Sequence, residues 1–502
     1  MPTFGKGYGE ENDFCMRAYT RGWRHVHSVD VFAQHKGGTS FGDDKPALVN
    51  ENLQKLNEKH PGYDSLIQFF VRTDPLLPFR RNMDIERLVK TINGPILHVV
   101  PDLDGGTKRH IKDMMDAGIR WGTDMLLMTV LKDGRVRLES NLVKDAASIY
   151  FELPSDFDEV VELLSSVRTR LIHYHHLLSM SDDLLRIADT LKIPYDFTIH
   201  DYYTICPRIN LIDDTDEYCG EPSIKVCNNC IRMNGTHAFL PSDFMKKYDD
   251  DVALFRKSNE KFLQSARKVF CPSHDTADRI KRYFTLDNVA VRPHELTIPT
   301  ELSPVPKRRS KPSDTQITVA IIGAIGKHKG SSVIQRSARE AFRQGIDIHF
   351  AIIGYTDCDS EIERLDNVSV SGAYDEENLH TLLKNAKPDV IWFPSRCPET
   401  FCYTLSTALC FGLPIVAYKM GAFSERLTND NVSQHTCLLP FDAKPLNIVE
   451  ALDEMARKNN KGYEPQPYIY DLENDYYEKS DTFVEHEMFL LPENKLASCK
   501  EF

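Results

Sequence analysis

The chain has 502 residues, 41% of them hydrophobic, and a formal net charge of -13. That length predicts about three domains of ~150 residues, with apolar material for separate cores. The acidic balance excludes general nucleic-acid binding, which needs clustered Lys and Arg against phosphates.

No window approaches the ~20 apolar residues of a membrane span, and "MPTFGKGYGEEND" has neither the basic start nor the apolar core of a signal peptide. The expectation is a cytoplasmic chain without a transmembrane segment, open to peripheral membrane contact. Its 12 cysteines then read mostly as reduced thiols, Cys271 and Cys410 among them, and the sequons at Asn234, Asn367 and Asn431 carry no glycan prediction.

Residues 1–92 are aromatic and polar, without a full alternation of strand and helix, and read as part of a domain. From "GPILHVVPDLDGG" onward, β-branched runs ("HVV", "DMLLMTVL", "RLIHYHH", "FTIHDYY", "KVFCPS") alternate with amphipathic stretches, the pattern of a parallel sheet with crossover helices over 93–300. A linker at 301–314 follows, in the Pro- and Lys/Arg-rich run "ELSPVPKRRSKPSD". A second alternation runs over 315–460 through "ITVAIIGAIG", "IHFAIIG", "NVSVSG", "DVIWFP" and "LPIVAYK"; residues 461–502 form a tail with no assigned fold. Two such α/β domains facing each other leave a cleft suited to a nucleotide-linked substrate.

Two stretches of the second domain carry the chemistry. "GAIGKHKG" (323–330) places a glycine turn between strand and helix, where backbone N–H groups and lysine charge suit a diphosphate. A strand-ending turn with solvated lysines is the plainer reading of so short a motif. "CPETFCYTLSTALCFGLPIVAYKMGAF" (397–423) puts Glu399 in a loop before a helix predicted from about Tyr403. The loop resembles the donor-binding loop of a sugar-nucleotide transferase, which implies that Glu399 accepts from sugar hydroxyls, Thr400 and Phe401 present backbone N–H groups and Thr404 lies near the phosphates; a solvated helix cap is the alternative.

Together these motifs resemble the C-terminal domain of family 4 (group 1) glycosyltransferases, retaining enzymes of the GT-B fold, over roughly 94–455. The resemblance implies that Lys329 is the phosphate-binding lysine, with Gly323 and Lys327 or His328 beside it. Ala324 stands where the family often has Arg. The family also has a second Glu that takes both ribose hydroxyls, at the position of Thr407. One hydroxyl in place of a carboxylate forfeits a charged hydrogen bond of ~1.5–3 kcal/mol, which matters less for a dTDP-sugar, whose ribose has lost one hydroxyl on that edge.

In the first domain "DLDGGTKRHI" lacks the Gly-x-Gly-x-x-Gly spacing of a dinucleotide binder. The resemblance makes Gly105, Gly106 and Thr107 an acceptor-side loop and His200 the cleft histidine near the reacting sugar, positioned by a strand end with Asp201. His173, in "LIHYHHL", is a further acceptor-side candidate, although most histidines in such runs are satisfied core groups. Catalytic roles thus fall to His200, Glu399 and Lys329.

Cys206, Cys219, Cys227 and Cys230 have intervals that suit a structural zinc; four unlinked thiols in a long loop are the alternative. No metal or other cofactor is expected in catalysis. At the front, "GKGYGEENDFCMRAYTRGW" and "HKGGTSFG" resemble the C-terminal part of family 2 GT-A glycosyltransferases, with Glu10, Glu11, Asp13 and His35 on motif positions. No nucleotide-binding half or Asp-x-Asp motif accompanies them, so the segment reads as a truncated remnant.

The resulting expectation is a glycosyltransferase that moves a hexose-type sugar, with retention, from a nucleotide-sugar to a surface polysaccharide, lipopolysaccharide-type or lipid-linked glycan acceptor. A catalytically silent nucleotide-sugar binder and a GT-B-type sugar-nucleotide epimerase are the rivals.

Overall fold

The computed structural model describes residues 4, 9–26, 28, 45–103, 105–143, 149–294, 316–428, 433–460 and 476–477. His35, the linker at 301–314, Asn431 and all of the 461–502 tail except Tyr476 and Tyr477 lie outside the described residues. The chain divides into two compact units, Met1–Ile92 with Val143–Phe151, and Asn93–Leu142 with Glu152–Phe502.

The smaller unit contains helices Glu10–Thr20, Lys45–Lys59, Tyr63–Thr73 and Leu77–Thr91, with Phe4, Leu56 and Tyr63 in a small apolar cluster. Glu10 and Glu11 are exposed on the first helical turn. Asp13 is buried and bonded to His60 at 2.8 Å, Arg17 at 3.0 Å and Lys59 at 3.3 Å. The His60 hydrogen bond, opposed by burial and aided by Arg17 and Lys59, lowers its carboxyl to about 2. Asp13 is therefore held as a paired anion.

The larger unit is two α/β lobes, as the two alternations in the sequence predict. In the first, the parallel strands run in the spatial order Met125–Val130, Ile96–Pro101, Leu171–Tyr174, Tyr195–Thr198, Val269–Cys271, Val289–Val291. Beside Met125–Val130 lies Arg135–Ser140, antiparallel to it. This strand alternates buried and half-buried residues, whereas Ile96–Pro101 is buried throughout, the difference between an outer strand and one covered on both faces.

In the second lobe the order is Val368–Val370, Ile348–Thr356, Ile317–Ile325, Val390–Phe393, Ile415–Tyr418, Thr436–Leu439, with every pairing parallel. Strand Ile317–Ile325 has successive partners on opposite sides, Ile348–Thr356 and then Val390–Phe393. Ligands of open α/β sheets bind at such a reversal, beyond the carboxyl ends of the strands. The first lobe reverses in the same way between Met125–Val130 and Leu171–Tyr174, on either side of Ile96–Pro101. Both halves of the expected GT-B plan are thus α/β units on mainly parallel sheets, and the motifs lie at the reversal of each sheet.

Tyr476 and Tyr477 are buried in the first lobe with Ile96, Met114, Met125, Leu171 and Phe270. Among the described residues no helix is long and apolar enough to cross a membrane.

Candidate active site

The donor-side residues gather at the reversal of the second sheet. Gly323 ends the buried run of Ile317–Ile325, and the turn Lys327–Lys329 leads into helix Ser331–Gln344. Gly330 sits at that junction with φ of 90°, and a Cβ there would run into the Pro394 carbonyl. The glycine is what lets the turn approach the loop after Val390–Phe393, where Glu399 lies.

Lys329 Nζ stands 4.0 Å from Glu399 Oε1, with about a third of its side chain exposed. The Glu399 carboxylate raises the lysine above its ordinary range, and burial opposes this. Ser395 Oγ donates to Glu399 Oε1 at 3.0 Å, which orients the carboxylate. Burial, then the Lys329 charge, lowers His328 to about 4, so the neighbouring imidazole is neutral near pH 7. Lys327, expected beside the phosphate, pairs with Asp216 at 3.2 Å and keeps most of its side chain exposed.

Thr400 and Phe401 are buried in the same loop, and Thr400 Oγ1 donates to the His200 carbonyl at 2.7 Å, linking the two lobes. The predicted helix is Tyr403–Phe411. Its half-buried positions include Tyr403, Thr404 and Thr407, one stripe at helical spacing, so Thr407 shares a face with Thr404. Thr404 Oγ1 lies 3.3 Å from Cys402 Sγ. Thr407 Oγ1 is 3.5 Å from the Tyr403 carbonyl, at the outer limit of a hydrogen bond.

Three residues that hold this loop were not singled out from the sequence. Arg426 donates to the carbonyls of Phe401 at 2.6 Å and Cys402 at 2.9 Å and to Ser406 Oγ at 2.6 Å. It thereby braces Cys402, whose φ of 69° is uncommon for a residue with a side chain. Gly421, φ 58°, allows Ala422 N–H to donate to the Glu399 carbonyl at 2.8 Å; a Cβ at Gly421 would lie 2.6 Å from that oxygen. Glu425 accepts from His274 N–H at 2.7 Å, capping helix His274–Tyr283 of the other lobe. "GAFSERL" contained all three, and their roles depend on backbone approach that no spacing reveals.

On the acceptor side, Gly105 and Gly106 lie at the start of helix Gly106–Trp121, exposed, with Thr107 half-buried. A Cβ on Gly106 would lie 3.5 Å from the Tyr403 ring, so this loop faces the donor-side helix. Asp201 accepts from His176 at 2.9 Å and from Tyr203 N–H at 2.9 Å. Burial pushes its carboxyl up, but His176 and the Tyr203 N–H hold it below the usual value. Asp201 is thus a structural anchor for the segment after His200.

His200 is partly exposed, and its Nε2 lies 3.2 Å from His175 Nδ1. Burial and the histidines around it drive its titration well below the ordinary imidazole range. His173 is placed inside the lobe, which corrects its reading as a cleft residue. It is fully buried, with Nε2 2.7 Å from Thr198 Oγ1 and Nδ1 bonded to the Tyr477 hydroxyl. No ring nitrogen is left for an acceptor.

The four cysteines do not all occupy a loop: Cys227 and Cys230 lie on helix Ile224–Asn234, three residues apart on one side. Arg256 lies 3.4 Å from Cys227 Sγ and Arg208 lies 3.8 Å from Cys230 Sγ. Burial pushes the Cys206 thiol up to about 12, with the neighbouring Cys219 and Cys227 adding to the shift. The structure thus brings the thiols into one neighbourhood. Among the described residues, however, groups of three or more potential metal ligands within 4.8 Å of one another are His98–His173–His175 and His110–His175–His200, and no cysteine is in either.

Residues 306–463 match the family model for glycosyl transferases group 1. That group 1 segment contains Gly323, Lys329, Glu399 and Thr407, and leaves His200 and the 105–107 loop outside it. No curated relative matches the chain. Similar solved structures include Anabaena HepE in complex with UDP, 13% identical with a TM-score of 0.44, covering 73% of this chain and 91% of that one. Sucrose-phosphate synthase from Thermosynechococcus elongatus is 15% identical with a TM-score of 0.45, covering 73% and 92%. The lipopolysaccharide outer core galactosyltransferase WaaB is 11% identical with a TM-score of 0.44, covering 73% and 91%.

Proposed function

We propose that the chain is a retaining glycosyltransferase that takes a sugar from a nucleotide-sugar and passes it to a glycan or lipid-linked glycan. The observation that carries this reading is Lys329 set 4.0 Å from Glu399 at the sheet reversal, inside the segment that matches the group 1 model. The departing diphosphate gains negative charge, which the Lys329 ammonium and the N–H groups opening helix Ser331–Gln344 meet without a catalytic metal. Glu399, oriented by Ser395, accepts from donor-sugar hydroxyls and fixes the ring.

His200 borders the reacting sugar and acts by position and hydrogen bonding. In same-face transfer the departing phosphate receives the acceptor proton, so a strong protein base is not required. Thr407, on one helical stripe with Thr404, favours a dTDP-sugar, because the missing carboxylate costs less where the ribose offers a single hydroxyl.

The same Thr407 supports a second reading, a silent homologue that binds the nucleotide-sugar without transfer. The readings separate in two steps. A thermal-shift screen of UDP-, GDP-, dTDP- and ADP-sugars identifies the donor, since a ligand at 100 times its Kd stabilises by about 2.7 kcal/mol. Lys329→Ala should then lower the rate of transfer or donor hydrolysis more than about tenfold, or ~1.4 kcal/mol, with an unchanged melting temperature in the absence of ligand. An unchanged rate with the active donor rejects the assignment; binding without turnover in the parent favours the silent homologue.

A further inference from the structure

Six histidines meet in the first lobe: His98, His110, His173, His175 and His294 are buried, and His200 is partly so. The imidazoles come from separate elements. His110 lies on helix Gly106–Trp121, His98 on strand Ile96–Pro101, His173 on strand Leu171–Tyr174 with His175 just beyond it, and His200 follows strand Tyr195–Thr198. Ring centroids are 4.2 Å apart for His110 and His294, 5.1 Å for His110 and His200, and 5.4 Å for His110 and His175. So many imidazoles have no role in the transfer chemistry proposed above, which uses His200 alone.

Two triads have ligand nitrogens within 4.8 Å of one another, and hydrogen bonding separates them. In His98–His173–His175, both nitrogens of His173 are engaged by Tyr477 and Thr198. In His110–His175–His200, neither nitrogen of His110 has a hydrogen-bond partner among the described residues, although the ring is fully buried. Buried polar atoms are ordinarily satisfied, and an exception calls for an explanation such as an ion. The 3.2 Å between His175 Nδ1 and His200 Nε2 agrees with this, because two imidazole nitrogens on one tetrahedral zinc stand roughly 3.3–3.4 Å apart.

We propose that His110, His175 and His200 form a three-imidazole site for a borderline divalent transition cation, zinc foremost. Neutral imidazole lone pairs suit zinc, copper and nickel, and the triad offers no carboxylate oxygen of the kind calcium and magnesium require. His175 ligates through Nδ1 and donates its Nε2–H to His98 Nδ1, 2.9 Å away, the outer hydrogen bond that fixes the tautomer of a metal-bound histidine. His294, packed on His110 and His200, walls the group. The cation would tie the acceptor-side helix to two strand ends and hold the His200 ring at the edge of the cleft.

The test uses the full chain, stripped with a chelator and titrated with Zn²⁺ and, separately, Co²⁺. The expected result is a single equivalent bound, with Co²⁺ giving visible bands of a low-symmetry site and no near-ultraviolet thiolate charge-transfer band. A Cys227→Ser/Cys230→Ser double variant should keep that equivalent, and His110→Gln should lose it while keeping the circular dichroism of the parent. No bound metal in the parent, a thiolate band, or retention of the equivalent by His110→Gln overturns the proposal. The Co²⁺ spectrum of the unaltered chain decides the matter even if His110→Gln fails to fold.

Discussion

The two lobes of the larger unit share one α/β plan but fill their interiors with opposite chemistry. Around Ile317–Ile325 the buried set is Val319, Ile321, Phe350, Trp392, Val416 and their aliphatic neighbours. Around Ile96–Pro101 the sheet carries His98, His173, Asp196 and Thr198 at positions equally closed to water. Apolar burial contributes wherever surface leaves water, whereas a buried polar atom stabilises nothing until a partner offsets its lost hydration. Asp196 shows how completely that is met. Arg267 donates to it at 2.9 and 2.6 Å and Lys268 N–H at 3.1 Å, against a burial that still pushes its carboxyl up. One lobe is therefore held by area, and the other by area together with specific polar pairings such as those of His173, Thr198 and Asp196.

The contrast is broken most directly from the apolar side. Trp392→Ala should cost about 3–5 kcal/mol by leaving a cavity among close-packed side chains, read as a lowered midpoint in chemical denaturation. A loss under about 1 kcal/mol would mean the donor-side core is not what holds that lobe. Thr407→Glu comes next. It should tighten a ribonucleotide donor by about 1.5–3 kcal/mol and a deoxythymidine donor by about half as much, measured by calorimetric titration. Equal affinity of parent and variant for both donors would remove Thr407 from the ribose.

The network side gives the smallest expected change. His173→Leu keeps the volume but strands the Thr198 and Tyr477 hydroxyls, which should cost about 1–3 kcal/mol in denaturation. Thr198→Val in the same background should recover part of it, because removing both partners costs less than removing one. If His173→Leu alone is stabilising, the His173 contacts with Thr198 and Tyr477 do not hold the lobe.

The β-branched runs made the two sheets legible in the sequence, because strands buried on both faces must be written as near-continuous apolar segments. "RVRLES" was passed over, since its alternation belongs to a one-sided antiparallel strand. That Glu399 and Lys329 come together follows from local motifs, each residue lying a few positions from a strand end. The Lys327–Asp216 ion pair has no local signal for the opposite reason: its partners are more than a hundred residues apart. His110 and His294, in "KRHIKDMMD" and "VRPHEL", carried no local signal. Only the fold brings them to the histidines of "LIHYHHL".

The hydrogen bond from Thr400 to the His200 carbonyl has a mechanical consequence. It joins the loop one residue from Glu399 to the segment after strand Tyr195–Thr198 that carries His200, and Glu425 caps a first-lobe helix from just beyond the same loop. Separating the lobes would have to give up these contacts where the donor sugar would sit. On the proposed function, parting the lobes and loosening the grip on the donor become a single motion, so that release of the spent nucleotide and readmission of acceptor would share one barrier.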